Sequence, residues 1–135
     1  MNLIICVDEN LGMSFNGRRV SRDSVVVNKI IQISKGRKLW IHSTSASLFS
    51  EDIQVEIDDN LLHKAGSNDL CFVENLDVSD FADSLRSVMI FNWNRRYPSD
   101  VKFPVSLFAD RWKLVHREEF KGYSHEKITM EVYEI

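Results

Sequence analysis

The chain has 135 residues, 44% of them hydrophobic and 27% charged, the size and make-up of one globular domain spanning 1–135 around one sizeable core. A formal net charge of -3 and a pI near 5.8 exclude a general attraction to polyanions, so any nucleic-acid contact would need a local patch. The opening Met1 to Asp8 carries no basic leader and meets an acid after about five apolar positions, too short for a signal-peptide core or a membrane span.

A cytoplasmic protein with no membrane partner is therefore expected. Leu3 to Val7 is a continuous apolar run, which predicts a central strand covered on both faces. Asp8-Glu9-Asn10 turns the chain, and Leu11 to Arg19, with Gly12 and Gly17 and no clear periodicity, reads as a long mobile loop. Ser21 suits an N-cap, Asp23 suits the positive end of a helix dipole, and Val26, Val27, Ile30 and Ile31 recur at helical spacing up to Gly36. This predicts a helix over about Arg22 to Lys35, held by packing because three consecutive valines lower its propensity.

Lys38 to Ile41 reads as a second strand, followed by a short helix capped within Ser43-Thr44-Ser45. Gln54 to Ile57 is a short strand, Asp58-Asp59 caps a helix through Leu61 and Leu62, and Leu70 to Val73 is another apolar strand. Asp77 to Arg86 predicts a small helix and Val88 to Trp93 a strand, so crossover units and a largely parallel sheet follow. Trp112 to Phe120 and Lys127 to Ile135 change the pattern to an antiparallel pair, with Ile128, Met130 and Val132 on one face. Cys6 and Cys71 sit inside apolar runs without a CxxC spacing and are expected as reduced thiols.

Several short stretches, in order, resemble the dihydrofolate reductases: Val7-Asp8 with Leu11-Gly12-Met13, Ser21-Arg22-Asp23, Ser99 to Pro104, then Trp112 to Phe120 with Ser124-His125 and Glu131 to Glu134. The resemblance spans the chain and implies an α/β three-layer domain, a mostly parallel central sheet with antiparallel C-terminal strands, shortened by one strand and its loop. It also implies that Asp23 stands where the family opens its first helix with the carboxylate that serves the pterin, and that Asn92 replaces the threonine that partners it.

The departures bear on the cofactor. The family's glycine pair, which lets the backbone approach a pyrophosphate, here reads Glu74-Asn75, and its phosphate-binding Gly-Arg before a threonine reads His42-Ser43-Thr44. A carboxylate beside two phosphates repels them, so no cofactor is expected, and NADPH enters only under an alternative reading. The chain also resembles a group of small uncharacterised bacterial proteins sharing Phe15-Asn16, Arg18-Arg19, Ser21, Asp23, Trp93-Asn94-Arg95 and Ser124 to Thr129, whose usual label is ribonuclease Z. That enzyme's two-zinc histidine motif has no counterpart, because His42, His63, His116 and His125 are widely separated.

Four constellations could carry chemistry. Asp23 could handle a proton if partial burial raised its pKa, or could simply cap a helix. Arg18, Arg19 and Arg22 could grip a phosphate or carboxylate through forked hydrogen bonds, or form a solvated basic loop. Trp93, Arg95 and Tyr97 could stack on a base or meet a protein partner, or be core aromatics with snorkelling arginines. His125 next to Glu126 could serve acid/base chemistry but reads better as a satisfied turn histidine; no base lies near a candidate serine in the sequence, which also lacks Gly-x-Ser-x-Gly. The expectation is a small anionic or nucleotide-like ligand in a cleft bounded by Asp23, the arginine loop and Asn92. A reductase using nicotinamide in a modified pose and a protein-interaction module are the alternatives, with a nuclease last; the oligomeric state is open.

Overall fold

A computed structural model of the chain describes residues 1–50, 53–104 and 110–135. Strand β1 (Asn2–Val7) is the middle of a seven-stranded sheet, as its unbroken apolar run requires. Leu3, Ile5 and Val7 enter one core and Ile4 the other, the alternation that a pleated strand imposes on its side chains. On one side β1 pairs in parallel with β6 (Leu70–Phe72), which pairs with β4 (Leu39–Ile41), which pairs with the edge strand β5 (Glu56–Ile57). On the other it pairs in parallel with β7 (Ser87–Asn92). The C-terminal strands β9 (Lys113–Phe120) and β10 (Ile128–Glu134) then add antiparallel to β7, in the order β7-β10-β9. The predicted mixed sheet is therefore the observed one.

Helix α1 (Ser24–Ile33) covers one face through Val26 and Ile30, packed with Phe72, Phe91, Trp93 and Ile128. This burial holds together a helix whose valines disfavour it, since a buried Val or Ile side chain gives about 1.5–3 kcal/mol. The short helix α2 (Leu61–Lys64) buries Leu61 and Leu62 against the other face. The predicted helices after Ser43 and Asp77 are single 3-10 segments, Ser43–Leu48 and Ser79–Ser84. Among the described residues no helix is long and apolar enough to cross a membrane.

Two expectations are corrected. Leu11 to Arg19 is not a long loop: β2 (Gly12–Phe15) and β3 (Arg18–Arg19) form a hairpin, and β8 (Val101–Lys102) adds on the far side of β2. Its two-residue connection is Asn16-Gly17, both at positive φ (50° and 73°), the backbone that the primed hairpin turns need. The N-cap of α1 is Asp23 and not Ser21, because Asp23 is extended and its carboxylate accepts from the Val25 amide. Both cysteines are free, and burial pushes the Cys71 thiol up to about 12 and the Cys6 thiol up as well, so neither is a thiolate at neutral pH.

Candidate functional site

The C-terminal end of β1 is organised by Asp8, which is fully buried. Its Oδ1 accepts from the amides of Asn10 and Gly12 (2.8 Å each) and its Oδ2 from the amide of Tyr97 (2.9 Å). One short side chain thus ties the first turn to the segment after β7 and places the Tyr97 ring beside the start of α1.

There the structure assembles a cluster from three distant parts of the chain. Asp23 lies under the turn after β9, and its carboxylate accepts from the amides of Tyr123 and Ser124 (2.9 Å each) and from His125 Nδ1 (2.8 Å). The Ser124 hydroxyl adds a weaker donor at 3.3 Å. Gly122 permits the close approach, since a Cβ there would stand 2.5 Å from Asp23 Oδ2 and 2.7 Å from Ile128 Cδ1. The far nitrogen of His125, Nε2, is 2.9 Å from Ser21 Oγ, and Tyr97 Oη stands 3.4 Å from both. Trp93 stacks on the imidazole at 4.6 Å between ring centres and 25° between planes, fixing its orientation. The Asp23 and His125 side chains are 0% and 2% exposed.

Burial alone pushes the Asp23 carboxyl upward. The hydrogen bond from His125 and those from Tyr123, Ser124 and Val25 more than offset it and hold the group well below the usual carboxylate range. The expected upward shift is therefore reversed, a direction that favours the ionised carboxylate over a proton-handling acid. Because an ionised carboxylate only accepts, the hydrogen-bond pattern places a proton on His125 Nδ1, and in the neutral ring Nε2 accepts from the Ser21 hydroxyl. Asp23, His125 and Ser21 thus form a continuous chain of hydrogen bonds that ends on a half-buried hydroxyl.

Ser21 borders a cleft of about 410 Å³ together with Gly17, Arg18, Arg19, Arg22, Thr44 and Glu74. Arg19 is already committed: its Nε and Nη2 fork onto Glu74 at 2.6 and 3.0 Å, and Nη2 also donates to the Thr44 carbonyl at 3.1 Å. Glu74 accepts in addition from the buried Ser45 hydroxyl at 2.7 Å, and Asn75 from Ser14 at 2.7 Å. Arg18 and Arg22 are exposed and make no side-chain hydrogen bond or ion pair among the described residues. A second, more apolar cavity of about 610 Å³ lies along α1, with Val27, Ile31, Leu48 and Ile53 on its walls and Arg22 shared with the first.

The predicted site residues divide accordingly. Asp23 and the arginine hairpin do converge. Asn92 does not join them: its Oδ1 caps the turn by accepting from the Asn94 amide at 2.8 Å, and the partners of Asp23 come from the 123–125 turn instead. Trp93 is 2% exposed and backs His125, so its stacked face is taken by the imidazole. Arg95 is exposed and reaches the Ser124 carbonyl at 3.3 Å. His125, set aside as a turn residue, and Ser21, read as a cap, prove central, and Tyr97 joins them. Among the described residues no group of three or more His, Cys, Asp or Glu side chains is placed to hold a metal ion.

No family model matches the sequence, and no curated protein does. The structure is similar to a dihydrofolate reductase from Enterococcus faecalis, described as complexed with NADP(H) and RAB-propyl. The TM-score is 0.64 over 98% of this chain and 94% of that one, at 11% sequence identity. The fold is thus a dihydrofolate reductase-like α/β fold, and at that identity the likeness extends to the fold alone.

Proposed function

We propose that the protein binds a small anionic, nucleotide-like ligand in the cleft between the β2–β3 hairpin and Glu74, and is not a standard NADPH-dependent reductase. One observation carries this reading: Arg18 and Arg22, unpaired among the described residues, present two guanidinium groups on a single cleft of about 410 Å³. A guanidinium fork matches phosphate and carboxylate geometry, and two of them around one concavity suit an anion better than a solvated surface.

The place a dinucleotide would need argues the other way. Glu74 is fixed there by Arg19 and Ser45, and Asn75 by Ser14, so a carboxylate and two side chains with Cβ atoms stand where the family offers bare backbone. A pyrophosphate would meet a like charge whose counter-ion among the described residues, Arg19, is already used. These residues do not fit NADPH.

Titration calorimetry with adenosine monophosphate and with inorganic phosphate tests the reading. Binding is expected to weaken about 10-fold or more when Arg18 and Arg22 are both replaced by alanine, the loss of one or two charge-assisted hydrogen bonds. Fluorescence titration with NADPH is the opposing arm, and micromolar affinity there would overturn the proposal in favour of a reductase.

A further inference from the structure

We infer that Ser21, His125 and Asp23 form a nucleophilic triad, and that the protein cleaves activated acyl esters or thioesters bearing an anionic group. The inference rests on the anionic-cleft reading only for its choice of substrate. The triad itself rests on geometry. Ser21 Oγ lies 2.9 Å from His125 Nε2, and His125 Nδ1 lies 2.8 Å from Asp23 Oδ2. Nucleophile, base and orienting carboxylate within this reach define such a site by their roles, whatever their order in the chain.

The surroundings are not those of a simple helix cap. Asp23 already accepts three backbone amides, from Val25, Tyr123 and Ser124, which satisfy a capping carboxylate without any histidine. The chain nevertheless brings an imidazole from 102 residues away, buries it and stacks it on Trp93. Its second nitrogen meets the serine that borders the cleft carrying Arg18 and Arg22. Burying an ionisable pair is costly, and such pairs collect where their proton affinities are used.

The chemistry balances without a redox partner. The Ser21 hydroxyl proton passes to His125 Nε2 as Oγ bonds to the carbonyl carbon. Collapse of the tetrahedral adduct breaks the bond to the alcohol or thiol, which leaves with the proton from His125. Water then attacks the Ser21 ester and gives a proton to His125, and Ser21 recovers it as the acid departs. The net reaction is ester plus water to acid plus alcohol. Asp23 touches no reacting atom. It is a positioning residue that holds the imidazole in one tautomer and stabilises its charged form. The two guanidinium groups line the same cleft as Ser21 and supply positive charge for the substrate's own anion.

A fluorophosphonate probe followed by intact-mass and peptide mapping tests this on the full chain. One adduct, on Ser21, is expected, absent in Ser21→Ala and slowed about 10²-fold or more in His125→Gln. Ser21→Ala removes a single oxygen at a half-buried position, so it keeps the test valid if His125→Gln fails to fold. No adduct on Ser21, or a rate unchanged in folded His125→Gln, overturns the triad. Hydrolysis of p-nitrophenyl acetate against mono-p-nitrophenyl succinate then separates the two readings. Preference for the succinate, lost in the Arg18→Ala/Arg22→Ala variant, supports both. Equal turnover of the two esters, with Ser21 still labelled, supports the triad and overturns the anionic cleft.

Discussion

Two charged clusters, one half-buried around Glu74 and one buried around Asp23, sit at the same end of the sheet and differ in how they finish. In the first, Glu74 takes two bonds from Arg19 and one from Ser45, while Arg19 spends its remaining reach on the Thr44 carbonyl. Both Glu74 oxygens and the Nε and Nη2 of Arg19 are answered from inside, so the cluster is a brace between the hairpin, the 43–48 segment and the end of β6. In the second, Asp23 is equally saturated, but its histidine passes the chain of hydrogen bonds outward to Ser21 at a cleft. A closed network rigidifies, whereas an open one leaves a polar atom whose state a ligand can change. The Glu74 cluster is therefore a closed brace, and the Asp23 cluster is the one that opens on the cleft.

Removing one anion from each cluster separates them by magnitude. Asp23→Ala leaves three amides and a buried imidazole without their acceptor, and is expected to lower unfolding free energy by about 3–5 kcal/mol. Glu74→Ala strands Arg19, which stays partly solvated, and the buried Ser45 hydroxyl, for a smaller loss of about 1–3 kcal/mol. Urea denaturation of the two variants measures both. Equal losses would mean that the two clusters are the same kind of brace.

What could be read from the sequence follows from how local each signal is. The apolar run of β1, the helical spacing of Val26 and Ile30, and the alternation in β10 are short-range patterns, and each element formed where its pattern lay. The hairpin was also written locally, in Asn16-Gly17, but Gly12 to Phe15 shows no alternation, and all of it but Phe15 is buried, so the strand was hidden. The site was not local at all. Ser21 and His125 are 104 residues apart, and only the pairing of β7 with β10 brings the 121–125 turn over the first helix. Asp23 shows the same limit: burial raises a carboxyl, and the donors that reverse the shift, His125 first and then the amides of Tyr123 and Ser124, come from the far end of the chain. The arginines are legible as a cluster because they sit within five residues, but their pairing is not local: Glu74, 55 residues on, takes Arg19 and leaves Arg18 and Arg22 without a partner among the described residues.

The finest test of the comparison is the pH dependence of stability. The folded Asp23 carboxyl is held below its unfolded value of about 4, so between that value and the folded one the unfolded chain binds a proton that the folded chain refuses. The contribution is fully present above about pH 4 and drains away as pH falls. For one group the slope is at most about 1.4 kcal/mol per pH unit. In urea titrations from pH 5 down to pH 2.5, the wild type should lose stability more steeply than Asp23→Asn by up to that amount. The variant carries no ionisable group at this position, and the remaining carboxylates are common to both proteins. Parallel curves would show that Asp23 titrates normally in the fold. The donors from His125 and the 123–125 turn would then not hold the anion, and the distinction between an open and a closed cluster would lose its electrostatic basis.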